Sequence, residues 1–118
     1  MRIDVRGSRG VTILDIDGRM TVDASRDVSL ADFVRDLARG GRRYVLVNLE
    51  HVSSIDSTGV RDLVEAYVTL TRQSGSLKLV HLPDRVRNVL TITRLLSILE
   101  AFDQEADAVA SFGTVTPA

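Results

Sequence analysis

The sequence contains no cysteine and no tryptophan, and only 4% of its 118 residues are aromatic. Without cysteine the chain cannot form disulfides, thiolate nucleophiles, zinc–thiolate sites or iron–sulfur clusters. The few aromatic rings leave little surface on which nucleic-acid bases or sugars could stack. Cysteine-based chemistry is therefore excluded, and nothing in the composition argues for secretion.

The charges are balanced and no long hydrophobic run is present. The formal net charge is -1, so the chain lacks the basic excess of phosphate-binding proteins, and we expect no direct contact with nucleic acid. The longest apolar stretches, such as residues 44–47, are much shorter than the roughly 20 residues that cross a bilayer. The amino-terminal residues also lack the apolar segment of a signal peptide. These observations predict a cytoplasmic protein with no membrane insertion.

A single domain accounts for the whole length. Domains commonly have roughly 100–150 residues, and a chain with 44% hydrophobic and 26% charged residues can form one soluble core. No cluster of proline or glycine marks a linker. We therefore expect one domain over residues 1–113, followed by a short tail over residues 114–118 that frays.

Alternating polar and apolar residues open the chain. Residues 3–6 and 11–17, with Gly10 between them, predict a hairpin. The later elements follow from the same periodicities and are, in chain order, a helix over 27–37 ended by Gly40 and Gly41, a central strand over 44–49, a loop over 50–54, a helix over 57–74, a strand over 77–82, a short helix over 83–95, a strand over 97–102, and a helix capped by Asp103 with Ala106, Val109, Ala110 and Phe112 facing inward. This order predicts an α/β fold, with a mixed, mostly parallel sheet of about five strands and about four helices.

The most informative segment is Ile55-Asp56-Ser57-Thr58-Gly59-Val60, which places a carboxylate and two hydroxyls where a loop enters a helix. A hydroxyl there can accept a hydrogen bond from a backbone amide, so capping alone could explain Ser57 or Thr58. The position also suits phosphorylation, because a phosphate would meet free amides and the positive end of the helix dipole. It would add roughly -1.5 to -2 charges beside Asp56 and could switch off a binding surface without unfolding. Gly59 would permit another backbone to approach closely, or would simply relieve packing against a neighbouring strand.

Other chemistries find little support. No Gly-x-Ser-x-Gly elbow surrounds Ser57, and His51 and His81 lack the carboxylate spacing of a catalytic or metal site. The one lysine, Lys78, lies in a predicted strand, and no phosphate-binding glycine-rich loop precedes it. The arginines around the third helix could form a small basic patch for a partner, but a solvated surface is the favoured interpretation: Arg85, Arg87 and Arg94. We predict no metal and no cofactor.

The run Asn48-Leu49-Glu50-His51-Val52-Ser53-Ser54-Ile55-Asp56-Ser57-Thr58-Gly59-Val60, with the amphipathic helix after it, resembles the STAS domains of bacterial anti-sigma factor antagonists. The resemblance covers nearly the whole chain. It includes Gly18, which implies the end of the second strand, as well as the Asp-Ser-Thr-Gly core at 56–59, residues 75–80 and residues 86–95. It implies a single STAS-like domain.

The resemblance also implies a regulator that switches partners and is not an enzyme. The unmodified form would bind an anti-sigma factor that is also a serine kinase, and this binding would release the sigma factor for transcription. Phosphorylation would reverse the binding. The family's acceptor is the hydroxyl residue directly after the aspartate, which corresponds to Ser57 here. Asp56, Thr58 and Gly59 complete the motif as partner-binding residues. A serine phosphatase would remove the phosphate, so the chain needs no catalytic residue of its own.

Two positions depart from the family pattern, and both bear on partner choice. Many members carry an acidic residue three positions after the strand-ending glycine, where it helps to bind the kinase. In this sequence that position is Thr21, with Asp23 two residues later, and both are candidate partner-binding residues. Many members also carry a Ser/Thr-Gly pair before the final strand, where this sequence has Thr93-Arg94.

Two other functions stay open from the sequence. One is a non-enzymatic STAS scaffold in a signalling assembly or transporter complex, in which Ser57 is only a cap. The other is a small hydrolase with Ser57 as its nucleophile. The sequence also leaves a weak homodimer open.

Overall fold

The computed structural model describes residues 1–23 and 29–113. Its strands and helices are β1 (Arg2–Ser8), β2 (Val11–Met20), α1 (Leu30–Arg39), β3 (Tyr44–Ile55), α2 (Ser57–Arg72), β4 (Ser76–Val80), α3 (Asp84–Ile92), β5 (Ala101–Phe102) and α4 (Glu105–Ser111). The sheet order is β1-β2-β3-β4-β5. The β1–β2 pair is antiparallel and the other three pairs are parallel. The predicted α/β fold, with β3 in the centre of a mixed sheet, is confirmed.

The opening hairpin has a two-residue turn, Arg9-Gly10, between Ser8 and Val11. Both turn residues have positive φ, 52° for Arg9 and 82° for Gly10, which is the type I′ geometry that matches the twist of two antiparallel strands. The hairpin is therefore confirmed. The prediction that β2 ends at Gly18 is wrong, because Gly18 (φ 114°) lies at a register shift and β2 continues beyond it.

Helices cover both faces of the sheet. On the first face, α1, α2 and α3 pack against β2, β3 and β4 and bury an apolar core. The residues that the helices contribute to this core include Leu30, Val34, Leu63, Leu70, Val86 and Leu90. On the second face, α4 packs Ala108 and Val109 against Val11, Ile13, Leu46 and Val80. Of the four helices in the described residues, three therefore share one face, and α4 covers part of the other.

The α4 helix is held at both of its ends by cations from the sheet. At its start, Arg6 Nη2 lies 2.6 Å from Glu105 Oε1, and Arg6 also binds Asp15 with Nη2 at 2.9 Å from Oδ1. At its end, Lys78 Nζ donates to the carbonyl oxygen and the hydroxyl of Ser111, both at 3.0 Å. The second contact places a positive charge at the negative end of the helix dipole.

Helix α1 begins at Leu30. Ser29 is its cap and accepts the backbone N–H of Asp32, and the predicted start at residue 27 lies outside the described residues. The expected breakers are confirmed: Gly40 follows the last turn and Gly41 has φ 87°.

Strand β3 is twice as long as predicted. Residues 50–54, predicted as a loop, continue β3 and pair with the end of β2, Gly18 opposite Val52 and Met20 opposite Ile55. The prediction failed because this part of the strand is mostly polar, while only Val52 is fully buried. The extension carries the chain out to the start of α2.

The last third of the chain has shorter elements than predicted. Residues 95–97 form a 3₁₀ turn, which leaves β5 only Ala101–Phe102. Asp103 does not cap α4; its carboxylate faces Arg87 at 3.4 Å, and Gln104 occupies the cap position without a side-chain bond. Ala106 and Ala110 are exposed rather than inward, and residues 114–118 lie outside the described residues.

Candidate functional site

The Asp-Ser-Thr-Gly segment lies at the carboxyl ends of β2 and β3, where α2 begins. Asp56 is the N-cap: its Oδ1 accepts the N–H of Thr58 at 2.8 Å and of Gly59 at 3.2 Å. The interpretation of Ser57 or Thr58 as the cap is therefore wrong. Asp56 takes this position because its backbone is still extended, with φ -118° and ψ -170°, and Ser57 is already the first helical residue.

The Ser57 side chain is exposed. Among the described residues, its hydroxyl has no hydrogen-bond partner. Since Asp56 provides the cap, the fold makes no visible use of this hydroxyl. It is an accessible acceptor held on the rigid first turn of a helix.

The Asp56 carboxylate also ties this turn to the end of β2. Its Oδ2 accepts the N–H of Val22 at 3.1 Å, and the Asp56 N–H donates to the Met20 carbonyl at 3.2 Å. Burial opposes ionisation of Asp56, but the N–H groups of Val22, Gly59 and Thr58 together outweigh it and hold the pKa of this carboxyl below its usual value. Asp56 is therefore a carboxylate at neutral pH.

The structure brings the other two predicted partner-binding residues to the same place. Thr21 and Asp23 flank Val22, whose N–H binds Asp56. Asp23 is exposed, whereas Thr21 is half-buried and its Oγ1 has no partner within the described residues. Sequence reasoning missed Val22 itself, a valine that is 59% exposed beside the motif.

Gly59 is required by packing. It is buried, and an added Cβ would collide with the Met20 carbonyl oxygen and lie 2.7 Å from Ile55 Cγ1. Of the two uses predicted for this glycine, packing against a neighbouring strand is confirmed, and that strand is β2. A side chain at Gly59 would push α2 away from β2, so this residue acts on the site through its position.

A second residue that the sequence did not indicate is Asp62, one turn further along α2. Its buried carboxylate binds the start of α1. Together with Ser29, Thr58, Arg61 and Glu65 it lines a cavity of about 140 Å³ between the two helices. Asp62 lies beside the apolar stripe of α2, and nothing in the local pattern distinguishes it from an exposed acid.

The remaining candidates do not converge on this site. His51 is an exposed residue of β3 rather than of a loop, and His81 follows β4. Over residues 1–23 and 29–113, no group of three or more histidine, aspartate or glutamate side chains is arranged to bind a metal ion. No helix in the described part of the chain is long and apolar enough to span a bilayer.

Comparison with known families agrees with the fold. The model of the STAS domain matches residues 2–108. The chain therefore belongs to the STAS domain family, as its Asp-Ser-Thr-Gly segment indicates.

Individual relatives are distant but cover almost the whole chain. An anti-sigma F factor antagonist from Paenibacillus polymyxa is 20% identical over 116 residues, or 98% of each chain. The structure of TM1081 from Thermotoga maritima has a TM-score of 0.85 at 22% identity and covers 93% of both chains.

SpoIIAA, a Bacillus anti-sigma factor antagonist, has been solved in two states. Its unphosphorylated form has a TM-score of 0.70 at 15% identity, covering 93% of this chain and 96% of its own. Its phosphorylated form has a TM-score of 0.70 at 17% identity, covering 93% and 98%. These structures share the fold of the present chain.

Proposed function

We propose that this protein is an anti-sigma factor antagonist controlled by phosphorylation of Ser57. In its unmodified form it binds an anti-sigma factor that is also a serine kinase, and so regulates transcription that depends on a sigma factor. Phosphorylation of Ser57 ends the binding, and a serine phosphatase restores it. The names of the Paenibacillus relative and of SpoIIAA support the role, and the two solved forms of SpoIIAA support its control.

The observation that carries the proposal is the exposed Ser57 hydroxyl at the first position of α2, with Asp56 as the cap. A serine that capped the helix would lose a structural hydrogen bond on phosphorylation. Ser57 makes no such bond among the described residues, so a phosphate can be added while Asp56 keeps its capping hydrogen bonds. The surrounding backbone stays fixed because Gly59 and Asp56 hold α2 against β2.

The phosphate acts chiefly through charge. The amides of Thr58 and Gly59, which could have bound it, already donate to Asp56, so the expectation of several free amides is not met. The phosphate instead adds roughly -1.5 to -2 charges next to a carboxylate that is ionised at neutral pH. Such a concentration of negative charge repels an acidic partner surface, and it disfavours an apolar one because the charge would lose its hydration there, while the helix stays intact.

Thr21, Asp23, Thr58 and the exposed Val22 lie around this charge and form the rest of the proposed contact surface. Thr21 replaces the acidic residue of many family members, so Asp23 supplies the acidic group of this segment.

The test compares Ser57→Ala and Ser57→Asp as baits in a pull-down from lysate of the source organism, with mass spectrometry as the readout. We expect an ATP-binding serine kinase to be retained by the alanine form and lost from the aspartate form. Ser97→Asp is the matched control, since it adds the same charge to another exposed serine. It should retain the kinase.

Retention of the same proteins by all three baits would contradict the proposal and favour a constitutive STAS scaffold. A change in melting temperature separates misfolding from loss of binding. Because Ser57→Asp leaves the Asp56 cap in place, we expect the unfolding free energy to change by less than about 0.5 kcal/mol. Ester hydrolysis that disappears in Ser57→Ala would instead identify a hydrolase.

A further inference from the structure

Strand β1 is an open edge of the sheet. It is the first strand in the order β1-β2-β3-β4-β5, and its outer side pairs with no strand of the described residues. The opposite edge, β5, has only Ala101–Phe102, whereas β1 has seven residues. An edge of this length presents a row of backbone donors and acceptors to any strand that can pair with it.

The hairpin geometry determines which backbone groups point outward. In a two-residue type I′ hairpin the closing pair, Ser8 and Val11, is hydrogen-bonded, and hydrogen bonding alternates along the strand. Ser8, Arg6, Asp4 and Arg2 therefore bond to β2. The N–H and C=O groups that point outward belong to Ile3, Val5 and Gly7.

The side chains of β1 sort onto the two faces of the sheet. Ile3 packs against the main core, and Val5, on the same face, is 43% exposed. Arg2, Asp4 and Arg6 lie on the other face, where Arg6 binds Asp15 and Glu105. The edge thus combines an exposed valine at its midpoint with three charges of alternating sign.

We propose that β1 pairs antiparallel with β1 of a second copy of this chain, centred on Val5, to form a continuous ten-stranded sheet. Val5 is the middle residue of Arg2–Ser8, so this register alone pairs all seven residues. It gives three hydrogen-bonded pairs: Val5 with Val5 of the partner subunit, and Ile3 with Gly7 of the partner subunit in both directions.

Charge complementarity selects the same register. With Val5 at the centre, Asp4 lies directly opposite Arg6 of the partner subunit, and the symmetry repeats this pair. Centring the strands on Asp4 or on Arg6 instead would place two like charges opposite each other, which is unfavourable. The two exposed Val5 side chains cover each other on the first face.

The proposed interface is small, so the dimer is weak and depends on concentration. Both Ser57 residues stay accessible in the proposed dimer. Ser57 follows β3, and β2 separates β3 from the paired β1 strands. Dimerisation and partner binding therefore use different surfaces, and the inference does not rest on the proposed function.

The first test is sedimentation velocity of the whole chain at concentrations up to about 1 mM, a range chosen because small interfaces bind weakly. We expect a monomer–dimer equilibrium in the unmodified chain. Asp4→Lys places two positive charges opposite each other and should raise the dissociation constant about tenfold or more. Asp36→Lys makes the same charge change at an exposed position of α1 and should leave the constant unchanged.

The second test uses the absence of cysteine in the chain. Val5→Cys places two thiols opposite each other, so a short bis-maleimide should cross-link this variant into a dimer. Gly7→Cys is the matched control on the same strand and face, because the proposed register separates the two Gly7 positions by four residue steps, roughly 14 Å. It should cross-link poorly.

Three results would overturn the inference. They are a monomer at every concentration, a dimer that Asp4→Lys does not weaken, and cross-linking of Gly7→Cys at least as efficient as that of Val5→Cys. Far-ultraviolet circular dichroism of each variant checks that the fold is retained. Loss of the hairpin would reduce the strand signal, because β1 pairs with β2 over its whole length.

Discussion

The buried carboxylate of Asp62 in α2 accepts the backbone N–H of Ala31 in α1 at 2.7 Å. Its two oxygens also accept the N–H of Leu30 at 2.8 Å and the hydroxyl of Ser29 at 3.0 Å. A side chain of one helix thus satisfies the orphan amides of another, a role that a local cap usually fills. This contact fixes the start of α1 relative to the helix that carries Ser57.

Removal of this carboxylate should destabilise the fold. In Asp62→Ala two buried N–H groups and the partly buried Ser29 hydroxyl lose their acceptor, so we expect a loss of about 3 kcal/mol in the free energy of unfolding. Urea denaturation of the purified variant measures it. Glu65→Ala, at an exposed position of the same helix, should change stability by less than about 0.5 kcal/mol. Equal effects of the two substitutions would mean that the Asp62 carboxylate does not hold the start of α1.

Gly59→Ala should be more disruptive than its small size suggests. The new methyl group would collide with the Met20 carbonyl and Ile55, and overpacking against backbone costs about 3 kcal/mol. Gly7→Ala is the matched control, because a Cβ at Gly7 would meet nothing within 4 Å. Thermal unfolding followed by circular dichroism should show a large decrease in melting temperature for the first variant only. A normal melting temperature for Gly59→Ala would place α2 further from β2.

Arg94→Gly should stabilise the protein. Arg94 has φ 60° and ψ 20°, the left-handed conformation that costs a residue with a Cβ about 1–2 kcal/mol. Part of this gain is offset by the greater entropy of glycine in the unfolded chain, so we expect a net increase of about 0.5–1 kcal/mol. The left-handed backbone also explains why many family members carry glycine at this position.

The control for this substitution is Arg85→Gly in the first turn of α3. Arg85 is equally exposed but helical, so glycine there should decrease stability by about 0.5–1 kcal/mol. The same sign of change in both variants, measured in urea, would contradict the assignment of strain to Arg94.

The Arg6–Asp15 ion pair should make the free energy of unfolding depend on pH in the acidic range. Hydrogen bonds from Arg6, then that from Asn48, outweigh burial and hold the pKa of Asp15 below its usual value. A carboxylate with a lower pKa in the folded state stabilises the protein above the unfolded-state pKa of about 3.9, and this contribution is lost as the pH falls through the folded-state pKa. The unfolding free energy should therefore decrease steeply below about pH 4.

Asp15→Asn tests this pH dependence, because the amide keeps the shape of the side chain and cannot ionise. Its unfolding free energy should be lower at neutral pH and should fall less steeply on acidification. Asp36→Asn removes an exposed carboxylate and should retain the steep dependence. Parallel pH profiles for Asp15→Asn and the unmodified chain would exclude a role for this ion pair.

The sequence predicts elements well where they are buried and less well where they leave the core. The stripes of α1 and α2 and the apolar run at the start of β3 follow periodicities that burial imposes. The second half of β3 could not be predicted because β2 pairs with it beyond the core, so its backbone bonds are made while its side chains face water.

The sequence predicts the cap of α2 at Ser57 or Thr58, one or two residues after Asp56, which is the cap in the structure. Asp56 and Ser57 are both good caps, and only the backbone angles decide which of them acts. Asp62 was missed for a different reason. Its partners in α1 are more than thirty residues away in sequence, so no local pattern could reveal the bond.

The attachment of α4 has a chemical consequence, because the chain's one lysine makes it. The Lys78 side chain is only 12% exposed. Its Nζ binds Ser111 and lies 4.9 Å from the centre of the Phe112 ring. An acylating reagent can reach this amine readily only when α4 lifts from the sheet. The rate of acylation at Lys78 therefore measures local opening of α4 in the otherwise folded protein, with no introduced probe.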